Sequence, residues 1–287
     1  MIGRVIVCGA GTMGSGIAEA TARAGFNTLL YDVDAQRAIS AVNQVEAKLD
    51  ALVAKGKLNP EQRASTLANL SAAPGLEACT GSLVIEAIVE SLPAKQSLFR
   101  QLASINEEHT VLASNTSSLS ITAIAEGLPN PGRICGLHFF NPAPLMKLVE
   151  VVAAAETAPT VIEAMVAFCR ALEKEPVVCN DSPGFIVNRV ARHYYLEPLR
   201  LVEAGYSDFA QLDRLLEAAG FRMGPFRLMD LIGNDINFAV TTTLYEASGN
   251  ALRFTPSAIQ AEKVARGALG RKTGHGYYTY EKESPRT

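Results

Sequence analysis

A glycine turn, Gly9-Ala10-Gly11-Thr12-Met13-Gly14, is the feature that most limits what this chain can fold into. It follows a short β-branched run, Arg4–Cys8, and opens a small, Ala-rich stretch, Gly14–Ala24. A second apolar run, Thr28–Tyr31, ends at Asp32. Strand, glycine turn, helix and strand-terminal acid in that order predict a βαβ unit that binds a dinucleotide. Gly9 permits the tight turn, Gly11 lets the backbone approach a pyrophosphate, and Gly14 lets helix and strand pack closely. Thr12 and Met13 sit where the helix presents free N–H groups and a positive dipole end to phosphate. Asp32 suits the adenosine ribose hydroxyls and repels a 2′-phosphate, which favours NAD. Arg37 nearby leaves NADP open, and FAD uses similar geometry.

Further strands are expected at Leu83–Ile88, Val111–Ala113, Ile134–Phe139, Leu148–Val152 and Val177–Cys179. Helical segments at about 35–54, 94–104, 119–127 and 159–173 fall between them, and the alternation reads as a parallel sheet with helices on both faces. After Asn180-Asp181-Ser182-Pro183-Gly184 the pattern changes. Residues 185–204, 208–219, 225–248 and 256–267 read as helices, followed by one final strand at Gly276–Tyr280. The expected fold class is an α/β Rossmann-type N-terminal domain followed by an all-α C-terminal domain. Their limits are 1–183 for dinucleotide binding and 184–287 for the helical domain. The chain length of 287 residues suits two domains.

Composition narrows the function. The net charge of −3 gives no basic surplus of the kind a nucleic-acid binder carries. No apolar run reaches membrane-span length. The five cysteines lack CxxC spacing and sit mostly in apolar runs, as buried thiols in a reducing compartment rather than disulfides or a metal site. No signal peptide is visible at Met1-Ile2-Gly3-Arg4, so the reading is cytoplasmic.

Among four histidines, His138 stands at the end of an expected strand, where functional groups gather in open α/β sheets. Glu150 lies in the next apolar strand, where a carboxylate needs a partner. A His–Glu pair suits proton exchange with an alcohol, although the spacing fits equally a core histidine and a surface glutamate. Ser114-Asn115-Thr116-Ser117-Ser118 reads by itself as a capping turn. Its place after a strand makes it a candidate for substrate contact.

These residues lie in longer motifs: GAGTMGSGIA at 9–18, IEAIVE at 85–90, SNTSSL at 114–119, GLHFFNPAPLMKLVEV at 136–151, DSPGFIVNR at 181–189, MGPFRLMDLIGND at 223–235 and GRKTGHGYY at 270–278. On them the chain resembles the NAD-dependent (S)-3-hydroxyacyl-CoA dehydrogenases from end to end. The resemblance implies that His138 is the catalytic base and Glu150 its orienting carboxylate. It implies that Ser117 and Asn188 hydrogen-bond the substrate oxygen, that Glu90, Lys95, Asn141 and Lys272 contact NAD, and that Lys55 contacts the CoA nucleotide. A CoA thioester is the implied substrate and a homodimer the implied assembly, and the resemblance assigns the substrate cleft and dimerisation to the helical domain, 184–287. Arg189–Arg192, AGFRMGPF at 219–226 and LMDLIGND at 228–235 look closer to the 3-hydroxyadipyl-CoA enzymes than to the 3-hydroxybutyryl-CoA enzymes. Arg192, Arg222 or Arg227 is then a candidate partner for a terminal carboxylate. Arg227 departs from the family, where Glu is usual. The competing readings are a dehydrogenase of a free hydroxy or sugar acid, a non-catalytic NAD-binding protein, and the dehydrogenase half of a multifunctional β-oxidation enzyme.

Overall fold

The computed structural model describes residues 2–281. Met1 and residues 282–287, which the expected domain limits include, lie outside the described residues. The chain divides into two compact units, Met1–Ser182 and Pro183–Thr287.

The first unit opens with β1 (Arg4–Cys8), α1 (Thr12–Arg23), β2 (Asn27–Tyr31), α2 (Ala35–Ala54), α3 (Pro60–Ala68) and β3 (Leu70–Ala72). It continues with β4 (Leu83–Glu86), α4 (Leu92–Ile105), β5 (Val111–Ser114), α5 (Ile121–Ala125), β6 (Ile134–Phe139), β7 (Leu148–Ala153), α6 (Pro159–Ala171) and β8 (Glu175–Asn180). The strands form one sheet in the order β3-β2-β1-β4-β5-β6-β7-β8. The order reverses between β1 and β4, and in open α/β sheets ligands bind outside the strand ends at such a switch point. Strands β1, β4, β5 and β6 are apolar and buried on both faces, the pattern of a sheet covered by helices on either side.

Three features depart from the expected sheet. β3 is an added edge strand, parallel to β2. α3 was not expected either, and it is held by a capping box between Asn59 and Gln62 with Pro60 in its first turn. β6 and β7 pair antiparallel rather than parallel. The link between them is too short for a helical crossover, which needs a dozen or more residues.

The second unit is helical: α7 (Val187–Glu203), α8 (Phe209–Ala218), α9 (Pro225–Ile232), α10 (Asn234–Ala247) and α11 (Ala258–Ala265). The single helix expected over 225–248 is two helices, because Gly233 takes φ +107° and turns the chain between them. The strand expected at Gly276–Tyr280 is absent. That segment makes only isolated bridges. Its backbone is held instead by Asp230, whose buried carboxylate accepts from Tyr277 N at 2.9 Å and Tyr278 N at 3.0 Å. A Cβ on Gly276 or Gly270 would run into Asp230.

Candidate active site

The glycine turn is shaped by two close approaches and one open space. Gly9 has φ +107°, and a Cβ there would lie 2.5 Å from the Ala87 carbonyl oxygen. A Cβ on Gly14 would collide with the Gly9 carbonyl. Both glycines are therefore required by the protein's own packing. Gly11 differs: its φ of −75° suits any residue, and a Cβ there meets nothing within 4 Å. The fold leaves this position open to the outside, as close approach by a ligand backbone or phosphate requires. Asp32 ties the turn to the end of β2, its Oδ2 accepting from Ala10 N at 2.8 Å. Arg37 lies 3.7 Å from Asp32 Oδ1 with its side chain 60% exposed. Thr12 is exposed and Met13 packs on the core beneath.

A cavity of about 390 Å³ opens beside this turn, lined by Gly11, Thr12, Ser15, Gln44, Lys48 and Asn141. Lys48 reaches it while paired with Glu19 at 2.7 Å. Lys55 does not line it: that lysine caps the carboxyl end of α2, exposed. A larger hollow of about 620 Å³ along α3 and the end of α6 contains none of the candidate residues.

His138 and Glu150 are direct cross-strand partners in the antiparallel pair. Nδ1 of His138 lies 2.7 Å from Oε2 of Glu150, with both residues buried. An ionised carboxylate only accepts, so opposite an ionised Glu150 the Nδ1–H of His138 is the donor of this hydrogen bond. Phe140 packs on the imidazole with ring centroids 4.5 Å apart. β6 then runs into Asn141–Pro144, the segment that borders the cavity at the glycine turn.

The ends of β4, β5 and β6 are joined by a polar network that is buried at Glu86, Lys95, Ser114 and Thr116 and opens to solvent at Glu90. Glu86 is fully buried, and its Oε1 accepts from Lys95 Nζ at 2.6 Å and Ile88 N at 2.7 Å. Its Oε2 accepts from Ser114 Oγ at 2.6 Å. Lys95, 1% exposed, also reaches Glu90 at 3.2 Å. Glu90 accepts from Thr116 Oγ1 at 2.5 Å, Ser118 Oγ at 3.0 Å and Ser117 N at 3.2 Å. Burial pushes the Glu90 carboxyl up, but the Lys95 charge and the hydrogen bonds from Thr116, Lys95 and Ser118 outweigh it and hold the group below the usual glutamate range. Asn115 Oδ1 accepts from Phe139 N at 2.8 Å, binding this loop to the strand of His138. The network thus gathers Glu90, Lys95 and Ser117, and places the loop against β6. The Lys95 ammonium is turned inward onto two carboxylates. Glu86, within IEAIVE, was not singled out from sequence, although an acid in so apolar a strand was the available signal.

Asn188 and Lys272 belong to the helical unit. Asn188 stands in the first turn of α7, and its carbonyl accepts from Arg192 Nε at 3.2 Å. Lys272 pairs with Asp235 at 2.6 Å.

Two family models match in tandem: "3-hydroxyacyl-CoA dehydrogenase, NAD binding domain" over residues 4–182 and "3-hydroxyacyl-CoA dehydrogenase, C-terminal domain" over 184–280. The chain belongs to the 3-hydroxyacyl-CoA dehydrogenase family. NAD is the dinucleotide of its first domain, in agreement with the open position at Gly11 and the acid at Asp32. The family member called 3-hydroxyadipyl-CoA dehydrogenase from Escherichia coli K12 is 47% identical over 97% of this chain. This chain spans 59% of that protein's length. The mitochondrial hydroxyacyl-coenzyme A dehydrogenase of Rattus norvegicus is 40% identical over 98% of this chain and 92% of its own. The crystal structure of (S)-3-hydroxybutyryl-CoA dehydrogenase from Ralstonia eutropha superposes with a TM-score of 0.94 at 36% identity, covering 98% of this chain and all of that one.

Proposed function

We propose that the chain catalyses the reversible NAD-dependent oxidation of the C3 hydroxyl of an (S)-3-hydroxyacyl-CoA to the 3-oxoacyl-CoA. The observation that carries this reading is the buried His138–Glu150 pair at 2.7 Å, on a strand that leads to the cavity at the glycine turn. With Nδ1 engaged by Glu150, Nε2 of His138 is the nitrogen that takes the hydroxyl proton. Glu150 fixes the tautomer and stabilises the imidazolium that results. Bound at the glycine turn, NAD would supply the acceptor for the hydride leaving C3. Ser117 and Asn188 are assigned to the substrate oxygen, where hydrogen bonds matter most as its charge changes. Gly9, Gly11, Thr12, Met13 and Gly14 would cradle the pyrophosphate and Asp32 the ribose, with Asn141 at the cavity rim.

Glu90 is assigned to the cofactor side of the polar network. Lys95, turned inward, is better assigned to positioning Glu90 than to touching NAD. Lys272 is assigned to NAD and Lys55 to the CoA nucleotide. The acyl group is 3-hydroxybutyryl or 3-hydroxyadipyl.

We also place self-association on the helical unit, where Leu231, Ile232 and Ile236 expose apolar surface on α9 and α10. Light scattering should return a dimer mass. No helix among the described residues is long and apolar enough to cross a membrane. A cytoplasmic location suits five buried free thiols. The function is tested by NADH formation from (S)-3-hydroxybutyryl-CoA and from the free acid. Turnover of the thioester with little of the acid supports the reading, and the reverse overturns it.

A further inference from the structure

Three arginines were candidates for a terminal carboxylate, and the helical unit separates them. Arg227 is already neutralised: its Nη1 lies 2.7 Å from both carboxylate oxygens of Glu217, and its Nε 4.0 Å from Asp213. Arg222 is exposed to solvent. Arg192 is 4% exposed, yet no carboxylate pairs with it among the described residues. Nη1 donates to Asn237 O at 3.0 Å, Asn237 Oδ1 at 3.3 Å and Thr241 Oγ1 at 2.9 Å. Nε donates to Asn188 O. Every acceptor is neutral. Nη2 makes no hydrogen bond among the described residues, but it is not sealed from solvent. The guanidinium also lies over the Tyr195 ring, 4.8 Å from its centroid.

A buried charge is costly unless it is paired. Burial alone pulls the Arg192 guanidinium down to about 10, with only Tyr195 opposing. Neutral dipoles from α10 hold the fork rigidly, and one donor nitrogen remains for an anion. That is the arrangement expected of an arginine set to receive a carboxylate, which it grips by charge-assisted hydrogen bonds.

Position says which carboxylate. Arg192 follows Asn188 by one helical turn on the same face of α7. Asn188 is the residue assigned above to the C3 oxygen, and this inference rests on that reading. A turn rises ~5.4 Å. In a six-carbon dicarboxylic acyl chain, two methylenes separate C3 from the terminal carboxylate, a span of similar size.

We propose that Arg192 is a specificity-determining residue that binds the terminal carboxylate of a dicarboxylic 3-hydroxyacyl-CoA, and that this substrate class is preferred over neutral acyl chains of the same length.

The test compares (S)-3-hydroxyadipyl-CoA with (S)-3-hydroxyhexanoyl-CoA, which match in carbon number and differ in the end group. The full chain is assayed as wild type, Arg192→Met and Arg192→Lys. The wild type is expected to favour the adipyl thioester in kcat/KM by about tenfold to a hundredfold, the worth of a charged hydrogen bond. Arg192→Met should abolish that preference through KM for the adipyl substrate, with kcat for the hexanoyl substrate retained, and Arg192→Lys should restore part of it. A purely structural role would depress both substrates together and leave their ratio unchanged, which would overturn the proposal. The wild-type ratio decides even if Arg192→Met fails to fold: equal use of the two substrates, or preference for hexanoyl, defeats the proposal and leaves the dehydrogenase reading intact. Turnover of neither defeats both.

Discussion

His138 and Glu150 face one another across the antiparallel β6–β7 pair, with Nδ1 2.7 Å from Oε2 in a buried setting. The pair's chemistry depends on that register, because a slip of one residue between the strands would put the two side chains on opposite faces of the sheet. Replacing His138 with Gln should lower kcat by ~10²–10⁴-fold, the usual share of general acid–base catalysis. Glu150→Gln should lower kcat while leaving KM for NAD near the wild-type value, since the amide no longer stabilises imidazolium. Steady-state kinetics on both variants check this, and a normal kcat in His138→Gln would remove the histidine from the mechanism.

Gly9, Gly11 and Gly14 should respond differently to alanine. Gly14→Ala and Gly9→Ala place a methyl against backbone, so both should lower the melting temperature. Gly11→Ala meets open space and an ordinary φ, so its melting temperature should stay at the wild-type value. Its NAD affinity should fall by at least about tenfold, or ~1.4 kcal/mol. Calorimetric titration with NAD reads the second effect. An unchanged affinity would mean that the pyrophosphate does not approach this turn.

Lys95 should matter more to stability than an ordinary lysine. Removing it as Lys95→Met leaves Glu86 buried without its cation, a loss of ~3–5 kcal/mol for a broken buried pair. Adding Glu86→Gln should recover part of that loss, because the uncompensated charge is then gone. Denaturant unfolding of the single and double variants makes the comparison. If the double variant is no more stable than Lys95→Met, the ion pair is not what orders the ends of β4 and β5.

Glu90 gives a pH dependence of known sign. Its carboxyl is held below the usual glutamate range in the folded protein, so it releases its proton more readily there than in the unfolded chain. The stability it contributes is fully present above the ordinary glutamate value of ~4.3 and is lost as pH falls through the lower folded value. The stability difference between wild type and Glu90→Gln should therefore be largest near neutrality and shrink in acid. A difference that stays constant down to strongly acid pH would contradict the network.

Cys135, Cys169 and Cys179 should be silent towards thiol reagents in the native state. Burial raises Cys169 and Cys179 to about 12 and drives Cys135 higher still. The thiolate is the reactive form, so labelling should be slow until denaturant exposes the residues. Rapid native labelling of any of these three would show that it is not enclosed as described.

Much of this was readable from residue order, where one physical cause dominates. The glycine turn, the strand-terminal Asp32 and the apolar runs of the sheet each have a single explanation, and the folded chain follows them. Helix starts also carried through where a side chain caps the backbone, as Asp208 does by accepting from Gln211 N at 2.7 Å. What escaped depends on partners distant in sequence. Gly276–Tyr280 has the residue types of a strand, but Asp230 takes the backbone donors of Tyr277 and Tyr278. The run 225–248 is helical in pattern throughout, and only the φ of Gly233 divides it. β3 spans just three residues at the sheet edge, too short to leave a periodic signature. The resemblance pointed to Lys95, but nothing in residue order said that Glu86 would draw it inward. Among the arginines, burial of Arg192 and the placement of Glu217 beside Arg227 tell the two apart, and both depend on the fold.

The most direct test of the account is the oxidation of (S)-3-hydroxybutyryl-CoA by NAD, followed as NADH formation, in wild type beside His138→Gln. The account predicts NADH formation in the wild type that falls at least about a hundredfold in the variant, with NAD binding by calorimetry unchanged between the two. Wild-type protein that binds NAD but oxidises no 3-hydroxyacyl thioester, or a variant that matches it in rate, would contradict the central claim.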